Sequence, residues 1–329
     1  MLKYPLASST WGPEELQAIQ SVIANDSYTM GSKVLEFEKA YAKYLNVNYC
    51  VMVSSGSTAN LIATAALFYT KSPMLREGDE VIVPAQTHVA TAMAVEAVGA
   101  KPIFVDSDTN TGNIDVNKIE EKITSRTRVI TVVHYLGIPV QMDKILKLAK
   151  KYKLYVLEDC ALSIGSSFNK KHTGLLGDAG VFSFYPVKHM TTSEGGMVIF
   201  KDKNIFEKLK LKRAFGVNKD HTQRKLPGDY DAIEKGLNYR MSEIEATIGV
   251  EQLKKLNRFI KTRNGNHNYL ASKLNNNANF EIINPKIKND SNWSHYCFTI
   301  ILSDKIVKKR NNIIDKLNKS GIGTSIYYP

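Results

Sequence analysis

The chain has 329 residues, 43% of them hydrophobic and 23% charged, with a net charge of +12 from 44 basic and 32 acidic side chains. That is the composition of a soluble globular protein, long enough for two domains around a large core; no apolar run approaches the roughly 20 residues needed to span a bilayer. The N-terminus MLKYPLASSTWGPEEL lacks an apolar signal core, so the expected location is the cytoplasm.

The first half alternates short apolar runs with amphipathic ones, the βα pattern of a mostly parallel sheet. Tyr49–Val53 reads as a strand, Ser54–Ser57 as a turn and Thr58–Phe68 as an Ala-rich helix. Glu80–Pro84 is a strand, His88–Val98 a helix and Pro102–Val105 a strand. Arg128–Val133 is a strand running into His134-Tyr135-Leu136-Gly137, followed by a helix over Met142–Lys151. Leu154–Leu157, Val181–Phe184 and Gly196–Phe200 complete the strands. Beyond residue 202 the spacing predicts two long helices, Ser242–Phe259 and Lys261–Leu274. A short α+β unit follows, with strand Tyr296–Leu302, helix Asp304–Lys319 and strand Ile322–Tyr327. The expected fold class is α/β: a large domain over residues 1–245 with an N-terminal arm, and a smaller α+β domain over 246–329.

The positive excess is spread over helices, as at Lys147, Lys150, Lys151 and Lys153 or Lys308, Lys309 and Arg310, and reads as solvated faces. No recognition-helix motif or RNA-type aromatic signature accompanies it, so neither nucleic acid nor a membrane is the expected partner. Cys50, Cys160 and Cys297 are odd in number and without metal or disulfide spacing, which points to apolar packing and to no metal site.

Lys188 carries the chemistry. It follows the apolar run Gly180–Phe184 and precedes a Thr/Ser/Gly-rich turn, and Asp159 ends another strand 29 positions earlier. Strand ends of a parallel sheet gather along one edge, where ligands bind. A desolvated lysine amine attacks carbonyls, and an aldehyde cofactor with a basic ring nitrogen needs an amine for the one and a carboxylate for the other. Pyridoxal 5'-phosphate (PLP) meets that description. Around Gly56, the run Ser54-Ser55-Gly56-Ser57-Thr58 puts hydroxyls at a helix N-terminus, where free N–H groups favour a phosphate, although Ser and Thr also cap helices for purely structural reasons. Ser183 is a second candidate phosphate donor, and His88, after the strand ending at Pro84, could stack on a planar ring or simply cap its helix. His134 reads as a structural hydrogen-bonding residue. Asn238 and Arg240 precede the long helix, for which Ser242 is the better cap.

The blocks SSGST, VPAQTHVATAMAVEAVGAKPIFVD, HYLGIPVQMDKI, VLEDCA, GDAGVFSFYPVKHMTTSEGGMV and LNYRMSEIEATIGVEQL, in that order, resemble the DegT-type sugar aminotransferases, fold-type I PLP enzymes acting on nucleotide-linked keto-sugars. The resemblance implies that Lys188 binds the cofactor aldehyde and shuttles a proton, and that Asp159 pairs with the pyridinium nitrogen. It puts His88 against the ring and Gly56, Ser57 and Ser183 on the phosphate. It assigns Asn238 to the phosphate of a neighbouring subunit's cofactor, and hence implies a homodimer with shared sites. Tyr185 and Arg240 are candidate substrate contacts, Arg240 either as a clamp on the substrate's anion or as half of a structural ion pair. The implied reaction moves an amino group, with glutamate the expected donor, to a 4-keto-6-deoxy sugar on a nucleotide, for amino-sugar and cell-surface polysaccharide biosynthesis such as lipopolysaccharide.

Three positions depart from the family pattern. Leu162 stands where many relatives carry a polar residue three positions after the aspartate, and Tyr185 where a histidine is common. The chain stops at Ser325–Pro329, where relatives usually continue, so the small domain is expected to be incomplete. The 3-dehydratases of the family have histidine in place of the lysine, so Lys188 favours transamination over dehydration. The reading outside enzymology is a non-catalytic PLP- or nucleotide-sugar-binding regulator.

Overall fold

A computed structural model describes residues 3–67, 75–219, 223–274, 277–287 and 290–327. Two helices, α1 (Pro13–Ala24) and α2 (Ser32–Leu45), precede the sheet. α1 opens with Pro13 and with Glu14 and Glu15 in its first turn, where fixed φ and acidic charge suit a helix start. The first amides of α2 find their partner far along the chain, since Gly31, Lys33 and Val34 donate to the Glu243 carboxylate at 2.9, 2.9 and 3.0 Å.

The order then runs β1 (Cys50–Val53), α3 (Gly56–Ala66), β2 (Glu80–Pro84), α4 (Val89–Glu96), β3 (Lys101–Val105), β4 (Thr127–Val133), α5 (Met142–Tyr152), β5 (Tyr155–Asp159), the small hairpin β6 (Ser167–Phe168) and β7 (Lys171–His172), β8 (Ala179–Ser183), β9 (Gly196–Phe200), α6 (Lys203–Arg213) and α7 (Glu243–Lys273). Strands assemble as β1-β9-β8-β5-β4-β2-β3. β9 is antiparallel to both neighbours and every other pairing is parallel. β1, β2, β8 and β9 are buried throughout, as strands covered on both faces must be. Alternate residues feed opposite faces. Val51, Val83, Leu157 and Val181 pack beneath α3, α4 and α6; Met52, Phe182 and Met197 join Phe37, Tyr41 and Met241 under α2 and α7, while Ile82, Ile130 and Val156 join Met142 and Ile145 under α5. Cys50 and Cys160 sit in this packing, and burial pushes both thiols up from their ordinary pKa.

The strand, turn and helix expectations of the first half hold, with ends shifted by a few residues; Phe68 lies outside the described residues. The C-terminal expectations need correction. The two helices predicted across Ser242–Leu274 are one helix, α7, because Arg258-Phe259-Ile260-Lys261 contains no breaker. Gly249 is tolerated inside it because a Cβ there would lie 2.7 Å from the Phe37 ring, so the missing side chain admits that ring. The expected strand Tyr296–Leu302 shrinks to β11 (Ile300–Leu302), paired with β10 (Phe280–Ile282). The reason lies in the loop before it: the Trp293 indole and the Tyr296 amide both donate to the Leu136 carbonyl, at 2.8 and 3.1 Å, and His295 takes φ +48°. Helix α8 (Arg310–Lys319) starts later than expected, after a 3₁₀ turn over Val307–Lys309. In place of the strand Ile322–Tyr327, a single bridge joins Ile322 to Tyr4.

Candidate active site

The parallel strands β1, β2, β4, β5 and β8 end along one edge of the sheet, at Val53, Pro84, Val133, Asp159 and Ser183. The connection from β8 to β9 leaves and re-enters that edge and carries Lys188. It is closed by hydrogen bonds of 2.9 Å from Phe184 N to Gly195 O, Thr192 N to Phe184 O and Lys188 N to Tyr185 O. Burial pushes the Lys188 amine below the ordinary lysine pKa, while the Asp159 carboxylate pulls the other way. Its Nζ lies 5.4 Å from the ring centre of Tyr296, and the Arg263 guanidinium, which donates to the Tyr296 carbonyl at 2.6 Å and the Lys188 carbonyl at 3.5 Å, ties the two backbones together.

Asp159 closes β5, is 5% exposed, and has three donors. Its Oδ2 accepts from Asn60 Nδ2 at 2.9 Å and from Thr91 Oγ1 at 3.3 Å, and its Oδ1 accepts from Ala161 N at 3.0 Å. Glu158, one residue earlier, faces the other side of the sheet and is fully enclosed. Its oxygens accept from His134 Nε2 at 2.9 Å and from the amides of Gly174, Leu176 and Gly177 at 2.9, 2.7 and 2.6 Å. His134 Nδ1 accepts from Val140 N at 3.1 Å, so Nε2 carries the proton. Burial alone would raise the Glu158 pKa; His134 and these amides outweigh it and hold the carboxyl below its ordinary value. His134, Glu158 and Cys160 lie close enough to resemble a metal-ligand cluster, yet the ring nitrogens and carboxylate oxygens are engaged in protein hydrogen bonds, and the group is structural.

The turn between β1 and α3 faces the same edge. Ser55 is the cap, accepting from Thr58 N at 3.1 Å, while the Thr58 hydroxyl accepts from Ser55 N at 2.9 Å. Ser57 has no part in that box and is exposed. Gly56 is required by contact: a Cβ there would lie 2.6 Å from the Ser183 Cβ. The Tyr239 carbonyl accepts from Ser54 N at 3.0 Å, which brings the Asn238–Arg240 segment to this turn. A desolvated amine, a buried carboxylate with acceptor capacity left on Oδ1, and a hydroxyl-rich helix N-terminus form a donor set that fits PLP.

The remaining predicted residues take these places. His88 is the N-cap of α4, its Nδ1 accepting from Ala90 N at 3.2 Å, and its ring is exposed at the edge. Tyr185 is 48% exposed beside the lysine turn. Asn238 is exposed and bridged to Ala214. It does not start α7: Ser242 does, in a reciprocal box with Glu245. The Arg240 guanidinium lies over the Phe215 ring at 5.1 Å. Leu162 is buried against Tyr135, Trp293 and Tyr296. Sequence reasoning missed Asn60 and Thr91; the available signal was helical spacing, since Asn60 lies one turn beyond Gly56 and Thr91 one turn beyond His88.

The profile of the DegT/DnrJ/EryC1/StrS aminotransferase family matches residues 10–329. GDP-4-keto-6-deoxy-D-mannose 3-dehydratase of Escherichia coli O55:H7 is 38% identical over 332 aligned positions, covering 98% of this chain and 84% of that protein. GDP-perosamine synthase of Caulobacter vibrioides is 34% identical over 302, covering 92% and 78%. The solved structure of the E. coli 3-dehydratase with bound hydrated PLP superposes with a TM-score of 0.89 at 37% identity, covering 98% of this chain and 84% of that one.

Proposed function

The chain belongs to the DegT/DnrJ/EryC1/StrS aminotransferase family, and from that premise we propose that it is a PLP-dependent transaminase that moves an amino group from an amino acid, glutamate in the first instance, to the keto group of a nucleotide-linked 4-keto-6-deoxy sugar. The observation that carries the reading is the desolvated amine of Lys188 beyond the same strand edge at which the buried Asp159 carboxylate ends β5. When bound, PLP supplies an aldehyde for the amine and a ring that stores the electron pair released at the substrate carbon. The chain's own residues do the rest. Lys188 Nζ, held uncharged more readily than a solvated lysine, takes the proton from the donor carbon and returns it at the acceptor side. Asp159 Oδ1 keeps the proton on the ring nitrogen. The first N–H groups of α3, with Ser57 and Ser183 hydroxyls, hold the phosphate; His88 stacks on the ring, and Tyr185 and Arg240 face the substrate.

Asn238 reaches the phosphate of a second subunit, which makes the enzyme a homodimer with shared sites. Supporting this, Phe215, Leu226, Tyr230, Ile233 and Leu237 leave an apolar strip exposed along the segment leading to Asn238, which a second subunit would cover. The division at residue 245 separates a cofactor-binding part from a smaller one. The enzyme is cytoplasmic and serves cell-surface polysaccharide synthesis. No helix among the described residues is long and apolar enough to cross a membrane.

A second reading is dehydration, favoured by the 38% identity to a 3-dehydratase and opposed by Lys188. The test is single turnover with pyridoxamine phosphate and a panel of 4-keto-6-deoxy nucleotide sugars, the products read by mass spectrometry. An amino sugar is expected, and a deoxy-keto product would establish dehydration instead. Protein loaded with PLP should show a visible band that moves on adding glutamate and is absent from Lys188→Ala. A band that survives in Lys188→Ala would remove the assignment.

A further inference from the structure

Asp159 Oδ2 is saturated before any ligand arrives. An oxygen of a carboxylate offers about two lone-pair sites, and the Asn60 amide and Thr91 hydroxyl occupy those of Oδ2 at 2.9 and 3.3 Å. Both donors are buried, Asn60 at 5% and Thr91 at 2% exposure. Each is itself braced. The Asn60 Nδ2 also donates to the Gly56 carbonyl at 3.5 Å, and the Thr87 and Thr91 hydroxyls meet at 2.9 Å, so that Thr91 can accept there while it donates to Asp159. The other oxygen, Oδ1, accepts only the Ala161 amide among the described residues, at 3.0 Å, and retains acceptor capacity.

We infer that Asn60 and Thr91 are positioning residues that fix the Asp159 carboxylate so that Oδ1 alone faces the cofactor ring nitrogen. The inference rests on the PLP reading above. The same two helices that present Gly56, Ser57 and His88 at their starts carry these donors one turn in, so the phosphate anchor, the ring contact and the carboxylate share rigid supports. Donors on Oδ2 hold the carboxylate in one orientation, so that Oδ1 stays in line with the proton on the ring nitrogen. Without them the carboxylate gains rotational freedom, and the hydrogen bond that keeps the proton on the ring nitrogen weakens.

The experiment uses the full-length protein loaded with PLP carrying ¹⁵N in the ring. The ring-nitrogen chemical shift is read in the wild type, Thr91→Val, Thr91→Ser and Asn60→Leu, alongside kcat and KM for glutamate. Thr91→Val keeps the side-chain shape and removes the donor. Its ring nitrogen should move toward the unprotonated position, with kcat down about tenfold, the scale of one hydrogen bond to a charged group, and KM little changed; Thr91→Ser should restore both. Asn60→Leu should shift the nitrogen the same way, and if it fails to fold the Thr91 pair alone decides. A wild-type shift in loaded Thr91→Val would overturn the inference while leaving the PLP reading intact. A wild-type protein that takes up no PLP would overturn both.

Discussion

Glu158 and Asp159 are adjacent on β5 and face opposite sides of the sheet, Glu158 toward His134 and Asp159 toward Asn60 and Thr91. One is tied into the scaffold through four donors; the other keeps acceptor capacity for a ligand. Substitution should separate them. Glu158→Gln should lower stability by about 3 kcal/mol, as removing one partner of a buried charge network does, read as a fall in Tm of the PLP-free protein. Asp159→Asn, which sets an amide against three donors where Glu158→Gln faces four, should lower the Tm by less and reduce turnover by about a hundredfold or more, the range of a lost electrostatic partner in catalysis. Equal Tm losses in the two variants would contradict this division.

Acid should destabilise the protein through one buried and two half-buried histidines. Burial pushes His189 down to about 3 and His172 down to about 4, and burial with the neighbouring His267 pushes His295 down to about 4. A histidine with a depressed folded pKa binds fewer protons folded than unfolded between that value and its ordinary 6.5. The stabilisation is therefore complete above the ordinary value and is lost as pH falls through the window. The Tm should be level above neutrality and decline steadily toward pH about 4. His189→Asn should flatten that decline, and an equally steep decline in the variant would assign the acid sensitivity to other groups.

The contact between Gly56 and Ser183 makes a double-substitution test. A Cβ at position 56 would sit 2.6 Å from the Ser183 Cβ, so Gly56→Ala should push α3 away from the strand edge and weaken PLP binding by about tenfold. Ser183→Gly removes the atom that is struck. Because Ser183→Gly also removes a phosphate donor, the double variant should lose less PLP affinity than the two single losses summed, a non-additivity expected only of residues in contact. Dissociation constants from fluorescence titration would show it, and strictly additive losses would count against the contact.

Shared sites predict complementation. Asn238→Ala and Lys188→Ala should each be inactive or nearly so as homodimers. After mixing and subunit exchange, half the dimers are hybrids, each with one site that has both residues intact, which gives about a quarter of wild-type activity for a two-fold dimer. Absence of any recovery, with exchange verified by mass spectrometry, would place Asn238 at its own subunit's site.

The strand ends and the place of Lys188 on the connection after β8 were legible because hydrophobic runs and Gly-rich turns carry them locally. Asp159 was legible as the end of such a run. Asn60 and Thr91 were not, since a polar residue in an Ala-rich helix reads as an exposed face until the docking of α3 and α4 onto β5 shows it buried. The continuity of α7 was missed by placing a break at Ile260 with no breaker residue there. Tyr296–Leu302 reads as a strand by composition, yet the Tyr296 amide joins the Trp293 indole on the Leu136 carbonyl, 157 positions from Trp293. Long-range hydrogen bonding of that kind has no local signature.

Gly56, Ser57, Asn60, Thr91, Asp159 and Ser183 sit on helices and strands, while Lys188 rides on the connection between β8 and β9. Exchanging that one side chain for another of similar bulk disturbs none of the hydrogen bonds that hold Asp159. The residue on the connection can therefore change while the supports of Asp159 stay in place, so that chemistry varies on a constant scaffold. A protein named a 3-dehydratase, 38% identical, is similar to this chain over 98% of the chain's length.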